Sequence, residues 1–227
     1  MKNQLNSKLI KTGLKTNLVA AAFCGLVIAL ACLSGTTLIW AADEGVINPT
    51  AEASGKTLTP SELEKLFPMS PEVEASLVHV VPSCTVIIDG IEYPPDQINK
   101  FDGQRLRFTI GEKGELYAFT RVEDLEKFQA AYQKNVALRS VDSMFYVDWW
   151  YGGQIYSLPT SNHYQPFLGS VFDNAISSVK AGTGVAWVYL CDEVQYGGDY
   201  LSIAGGSDIP ILQLYGWNDR TSSIWTE

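Results

Sequence analysis

The chain has 227 residues, 46% of them apolar and 11% aromatic, enough for a sizeable core and incompatible with a wholly disordered protein. Its formal charge is −9, from 16 basic and 25 acidic residues. That balance excludes nucleic acid and anionic membrane surfaces as electrostatic partners.

Lys2, Lys8, Lys11 and Lys15 form a basic leader ahead of an uncharged apolar stretch from Leu18 to Ala41. The pattern is that of a signal peptide, residues 1–41, cut near Ala41 or Ala42 where small residues meet Asp43-Glu44. Two alternatives stay open. The stretch is long enough to span a bilayer as an uncleaved anchor, the one route to a membrane. Ala29-Leu30-Ala31-Cys32 also resembles a bacterial lipoprotein cleavage box, without the large apolar residue three before the Cys. All three place the remainder outside the cytoplasm, secreted or in the cell envelope. Without the first 41 residues, which hold four lysines and no acid, the charge is −13 and cations are welcome.

Residues 42–83 read as a linker and a short helix. Thr59-Pro60-Ser61-Glu62 combines an N-cap, a proline at the first helical position and a capping-box Glu, and Pro68 and Pro71 end the helix. Residues 84–140 read as a small α+β module. Thr85-Val86-Ile87-Ile88 is a β-branched strand that turns at Asp89-Gly90 into Ile91-Glu92-Tyr93. Pro94-Pro95-Asp96 opens a short helix through Phe101. Arg105 to Ile110 alternates as a half-buried strand, and Gly111-Glu112-Lys113-Gly114 turns it into a second strand, Glu115 to Phe119. Thr120-Arg121-Val122-Glu123 reads as another capping box, starting a helix with the stripe Val122, Leu125, Phe128 and Tyr132. Residues 141–227 show short aromatic and β-branched segments between Gly, Pro, Asn and Ser turns, the pattern of an all-β sandwich.

This last region repeats itself at an interval of 45 residues. Tyr151-Gly152-Gly153 returns as Tyr196-Gly197-Gly198, and Asp173-Asn174-Ala175-Ile176-Ser177-Ser178 returns as Asn218-Asp219-Arg220-Thr221-Ser222-Ser223. Two such units fit a pair of packed Greek keys. The Tyr-Gly-Gly element suits a sharply folded hairpin in which glycine takes a conformation closed to other residues. The hexads concentrate carboxylate, amide and hydroxyl oxygens. Turn-making explains one such hexad; two in register within an acidic chain point to a hard cation such as Ca²⁺, which takes oxygen ligands from flexible loops.

At these residues the chain resembles the microbial, calcium-binding βγ-crystallin family. Tyr146-Val147-Asp148-Trp149-Trp150-Tyr151-Gly152-Gly153 with the hexad 173–178 matches the family's pattern in the first key. The second key matches through Tyr196-Gly197-Gly198 and the hexad 218–223, with Cys191 in the first aromatic position. The resemblance implies two four-stranded sheets, no enzyme activity and two Ca²⁺ sites. One would use Asp173, Asn174 and Ser177 with a carbonyl near Asp192. The other would use Asn218, Asp219 and Ser222 with a carbonyl near Val147. Ser178 and Ser223 would be structural. Ala175 and Arg220 stand where good binders offer another oxygen, so affinity should be modest, ~10⁻⁴–10⁻³ M as in extracellular modules, and weakest at the site bearing Arg220.

Other chemistry is poorly supported. His79 and His163 lack zinc-ligand spacing, and no nucleophile elbow, phosphate loop or dinucleotide fingerprint occurs. Trp149, Trp150, Trp217 and Trp225 could line a sugar-binding face or pack the sandwich; Trp149 and Trp150, being adjacent, cannot both point inward from a strand, so one should be exposed or covered. Ser161-Asn162-His163-Tyr164 could form the contact loop of a second kind of protein, a protease inhibitor or other extracellular ligand-binding module. Cys84 and Cys191, left after the leader's Cys24 and Cys32, could form a disulfide or remain two buried thiols.

Overall fold

The first two helices begin where the sequence supplies a cap. In this computed structural model residues 57–132, 141–159 and 161–227 are described, so the leader of residues 1–41 and the first part of the linker lie outside them. Helix α1, Pro60–Leu66, starts at Thr59, whose hydroxyl accepts from Glu62 N–H while the Glu62 carboxylate accepts from Thr59 N–H at 3.1 Å. Helix α2, Pro71–Ala75, is capped by Ser70. Strands β1, Val86–Ile88, and β2, Ile91–Tyr93, are joined by Asp89 and Gly90, both at positive φ, as a tight hairpin demands. A 3₁₀ segment, Pro95–Phe101, leads to β3, Arg107–Ile110, β4, Leu116–Phe119, and helix α3, Val122–Ala131. The expected capping box at Thr120 does not form. Arg121 is the N-cap without a side-chain bond, and Thr120 gives both its N–H (3.1 Å) and its hydroxyl (2.7 Å) to the Asp89 carboxylate instead.

Eight further strands follow: β5, Ser143–Tyr146; β6, Ile155–Leu158; β7, His163–Gln165; β8, Ser178–Lys180; β9, Trp187–Cys191; β10, Tyr200–Ala204; β11, Asp208–Ile209; and β12, Ser223–Thr226. They form two Greek keys that exchange their third strands. Strand β7 leaves the first key to pair with β12, and β11 leaves the second to pair with β8. One sheet therefore runs β11-β8-β5-β6, and the other contains β10-β9-β12-β7.

The second sheet does not stop at the Greek keys. Strand β3 pairs in parallel with β10, Arg107 opposite Tyr200 and Thr109 opposite Ser202, so β2-β1-β4-β3 extends it to eight strands. The boundary expected near 140/141 is thus crossed by hydrogen-bonded sheet. Both faces of the shared part are buried. On β9, Val188 and Leu190 face the inter-sheet core with Phe145, Val179, Trp217 and Ile224, while Trp187, Tyr189 and Cys191 face a second core with Leu63 of α1 and Leu125 of α3. Tyr189 stacks on Trp225 with ring centroids 4.0 Å apart. Burial of each such side chain stabilises by about 1.5–3 kcal/mol, so α1 and α3 are a cover the sheet requires. Cys84 and Cys191 are both free thiols, Cys191 fully buried and Cys84 half-buried, and they pack against different cores.

Candidate cation cradles between the two keys

Two hairpins open the site. In the first, Trp149–Tyr151 form a 3₁₀ turn with Trp150 and Tyr151 at φ 56° and 63°; in the second, Gln195 and Tyr196 repeat this at 54° and 61°. Gly198 must be glycine, because at φ 68° an added Cβ would lie 1.7 Å from Asp192 Oδ1. The last serine of each hexad closes its hairpin. Ser178 Oγ donates to Asp148 O at 2.6 Å and accepts from Tyr151 N–H at 3.0 Å, and Ser223 Oγ does the same with Glu193 O and Tyr196 N–H at 2.6 and 3.0 Å.

The hexads lie side by side and bond reciprocally. Asn174 N–H donates to Thr221 O at 2.9 Å and Asp219 N–H to Ile176 O at 3.1 Å, with Asn174 and Asp219 at φ 52° and 53°. Asn and Asp tolerate this left-handed conformation best among residues with a side chain. This pairing exchanges the serines between loops. Ser177 Oγ donates to Asp219 Oδ1 at 3.0 Å, and Ser222 Oγ lies 3.5 Å from Asn174 Oδ1. The grouping expected from the resemblance, each serine with the acids of its own hexad, is therefore corrected: each faces the opposite hexad.

The first cradle is an open depression lined by Val147, Asp148, Trp149, Ser177, Asn218 and Asp219. Asn218 Nδ2 donates to Asp219 Oδ2 at 2.6 Å, and Trp149 Nε1 donates to Asn218 Oδ1 at 2.8 Å. The Asp219 carboxylate, the Ser177 hydroxyl and the Asn218 amide oxygen meet there, a donor set suited to a hard cation and unsuited to a thiophilic one. Among the described residues no three His, Cys, Asp or Glu side chains gather to hold a metal, so a cation here depends on the neutral oxygens as well.

The second cradle comprises the counterparts Asp192, Asp173, Asn174 and Ser222. Asp173 Oδ1 and Asp192 Oδ1 are buried without a hydrogen-bond partner. Here Arg220 intervenes. Its guanidinium donates to Asp192 Oδ2 at 2.6 Å and to Gly216 O at 3.0 Å, and lies 4.2 Å from the centre of the Trp217 ring. Arg220, expected to weaken the Asn218–Asp219 site, places its guanidinium on the Asp192 carboxylate of the other cradle. Burial, with the Asp199 carboxylate adding to it, pushes Asp192 up to about 7 against the pull of Arg220.

Behind Arg220 a chain of charged groups, buried at Asp199 and His79 and exposed at Asp102, reaches the N-terminal half. Asp199 Oδ2 is 3.8 Å from Arg220 Nη2 and 3.2 Å from His79 Nε2, and His79 Nδ1 is 3.0 Å from Asp102 Oδ1. Burial opposes a charge on His79, yet Asp199 and Asp102 together hold its pKa above the ordinary value. Sequence reasoning assigned no role to His79, Asp199 or Asp148, since their partners are far away in the chain. Trp149 and Trp150 are both exposed, at 47% and 68%, because they sit on a turn and not on a strand, whereas Trp217 and Trp225 are buried. Ser161–Tyr164 runs into β7, where Tyr164 is half-buried and its hydroxyl accepts from Leu58 N–H at 3.1 Å.

No protein-family profile matches the chain, and no curated protein matches it. Solved structures are similar to part of it. A βγ-crystallin from an archaeon is 20% identical, with 39% of this chain and 100% of that one covered and a TM-score of 0.33. A βγ-crystallin from Ciona intestinalis is 18% identical, covering 38% and 100%, at 0.32. A βγ-crystallin domain from Clostridium beijerinckii is 24% identical, covering 38% and 97%, at 0.31. A double mutant of clostrillin, 22% identical over 38% of this chain and 98% of that one at 0.31, was solved in complex with nickel.

Proposed function

We propose that this is an exported, non-enzymatic, βγ-crystallin-like protein that binds Ca²⁺ in its first cradle and is stabilised by it. Asn218, Asp219 and Ser177 would hold the ion, with main-chain oxygen at Val147. The observation that carries this reading is Asp219: fixed in a left-handed conformation at φ 53°, its carboxylate meets the Ser177 hydroxyl from the other key. An ion there would link the two keys. The second cradle of Asp173, Asn174, Ser222 and Asp192 already has a cation at its Asp192 carboxylate, Arg220, so one strong site per chain is expected in place of two equal ones.

Binding only to the folded state adds about 2.7 kcal/mol at a hundredfold excess over Kd. Calorimetric titration of the purified protein with CaCl₂ should show one dominant event, and melting should rise with Ca²⁺ and fall back with chelator. Absence of heat together with an unchanged melting temperature removes the calcium reading. Export rests on the leader; N-terminal sequencing of protein recovered from outside the cytoplasm should begin near residue 42.

A further inference from the structure

We propose that the first cradle, with its cation, is a saccharide-binding site in which adjacent sugar hydroxyls complete the ion's coordination while Trp149 and Trp150 take the sugar's apolar face; this rests on the calcium reading above. Two independent observations lead there. The first concerns the ion. Asp219, Asn218, Ser177 and the main chain at Val147 fall short of the roughly six to eight oxygens Ca²⁺ takes, and the depression they line is open, so ligand positions remain for outside oxygens.

The second concerns the tryptophans. Trp149 and Trp150 occupy hairpin positions whose counterparts in the second key are Val194 and Gln195, and Gln195 takes the same backbone conformation as Trp150, φ 54° against 56°. The hairpin therefore needs no aromatic residue. Both rings stand exposed, although a large apolar ring gains most from burial. Trp149 is also held in place at the rim, its indole N–H on Asn218 Oδ1 at 2.8 Å, so its orientation is set by a residue of the cradle. A sugar matches this combination, since one face of the ring is C–H and its edge carries vicinal hydroxyls. A lipid surface matches only the tryptophans, and the polar lining of Asp148, Asp219, Asn218 and Ser177 that adjoins Trp149 counts against it.

The test uses the full chain with a panel of methyl glycosides of glucose, mannose, galactose and N-acetylglucosamine, followed by saturation-transfer NMR and tryptophan fluorescence, with CaCl₂ and with EDTA. Saturable binding that requires Ca²⁺ is expected. Trp150→Ala, outside the cradle, should weaken it about tenfold while the calcium heat is unchanged. Asp219→Ala should abolish both. Calcium heat with no glycoside bound overturns the saccharide proposal and leaves the cation reading standing. So does glycoside binding indifferent to Trp150→Ala or to EDTA, or binding to phosphatidylcholine vesicles in its place. Loss of the calcium heat itself in the unaltered protein is the separate failure of the cation reading.

Discussion

Replacing His79 with alanine tests whether the charge chain holds the two halves of the protein together. His79 is 5% exposed and lies between Asp102 Oδ1 at 3.0 Å and Asp199 Oδ2 at 3.2 Å. Asp199 is buried; its other oxygen accepts from Leu106 N–H at 2.7 Å, and Arg220 stands 3.8 Å away. Breaking a buried pair costs about 3–5 kcal/mol, because the remaining charge keeps its desolvation penalty without its partner. With Arg220 close enough to compensate in part, the lower end applies, about 3 kcal/mol. For a domain of this size that is a fall of about 6–12 °C in melting temperature. The effect carries a pH signature. Since the folded state raises the His79 pKa, it binds the proton more tightly than the unfolded chain does. The extra stability is fully present below the unfolded value of about 6.5 and is lost as pH rises through the higher folded value. Urea unfolding of both proteins from about pH 6 to pH 9 should therefore show the gap between them narrowing. A gap below about 1 kcal/mol at the acid end, or one that widens with pH, refutes the reasoning.

Two further substitutions probe the scaffold around the cradles. Gly198→Ala forces a Cβ to within 1.7 Å of Asp192 Oδ1 at φ 68°, so the second hairpin must shift, and the urea midpoint should fall by the equivalent of about 1–3 kcal/mol. Arg107→Lys removes a two-pronged grip on the Glu64 carboxylate, Nε and Nη2 at 2.8 and 2.7 Å, along with bonds to Arg105 O and Thr120 O. It should loosen α1 by about 2–3 kcal/mol, seen as faster hydrogen exchange across α1 with Ca²⁺ affinity unchanged.

Features of the fold carried by neighbours in the chain were legible in the sequence. The capping box at Thr59, the Asp89-Gly90 turn and the 45-residue repeat each involve residues close together or in register. The parallel joint between β3 and β10 was not. Strands β9 and β10 are buried on both faces, so Trp187–Cys191 and Tyr200–Ala204 lack the polar alternation that marks a sheet facing solvent, and nothing in them names β3 as a neighbour. Thr120 shows the same limit on a smaller scale: its spacing to Glu123 suits a cap, but Asp89, 31 residues back, offers a carboxylate for both its donors. At the site, residue types and hexads were readable because the chemistry is local. The exchange of Ser177 and Ser222 was hidden, because the reciprocal bonds between Asn174 and Thr221 and between Asp219 and Ile176 arise only when the keys pack. The charge of Arg220 is legible in the sequence; its partner Asp192, 28 residues back in the chain, is not.

The most direct test is the position of the ion. Crystals of the protein soaked in CaCl₂, with data collected for the anomalous signal, should show one strong peak among Asp219, Ser177, Asn218 and the main chain of Val147, and a weak peak or none beside Arg220. A peak confined to Asp173 and Asn174, or none at Asp219 with the protein intact, contradicts the assignment.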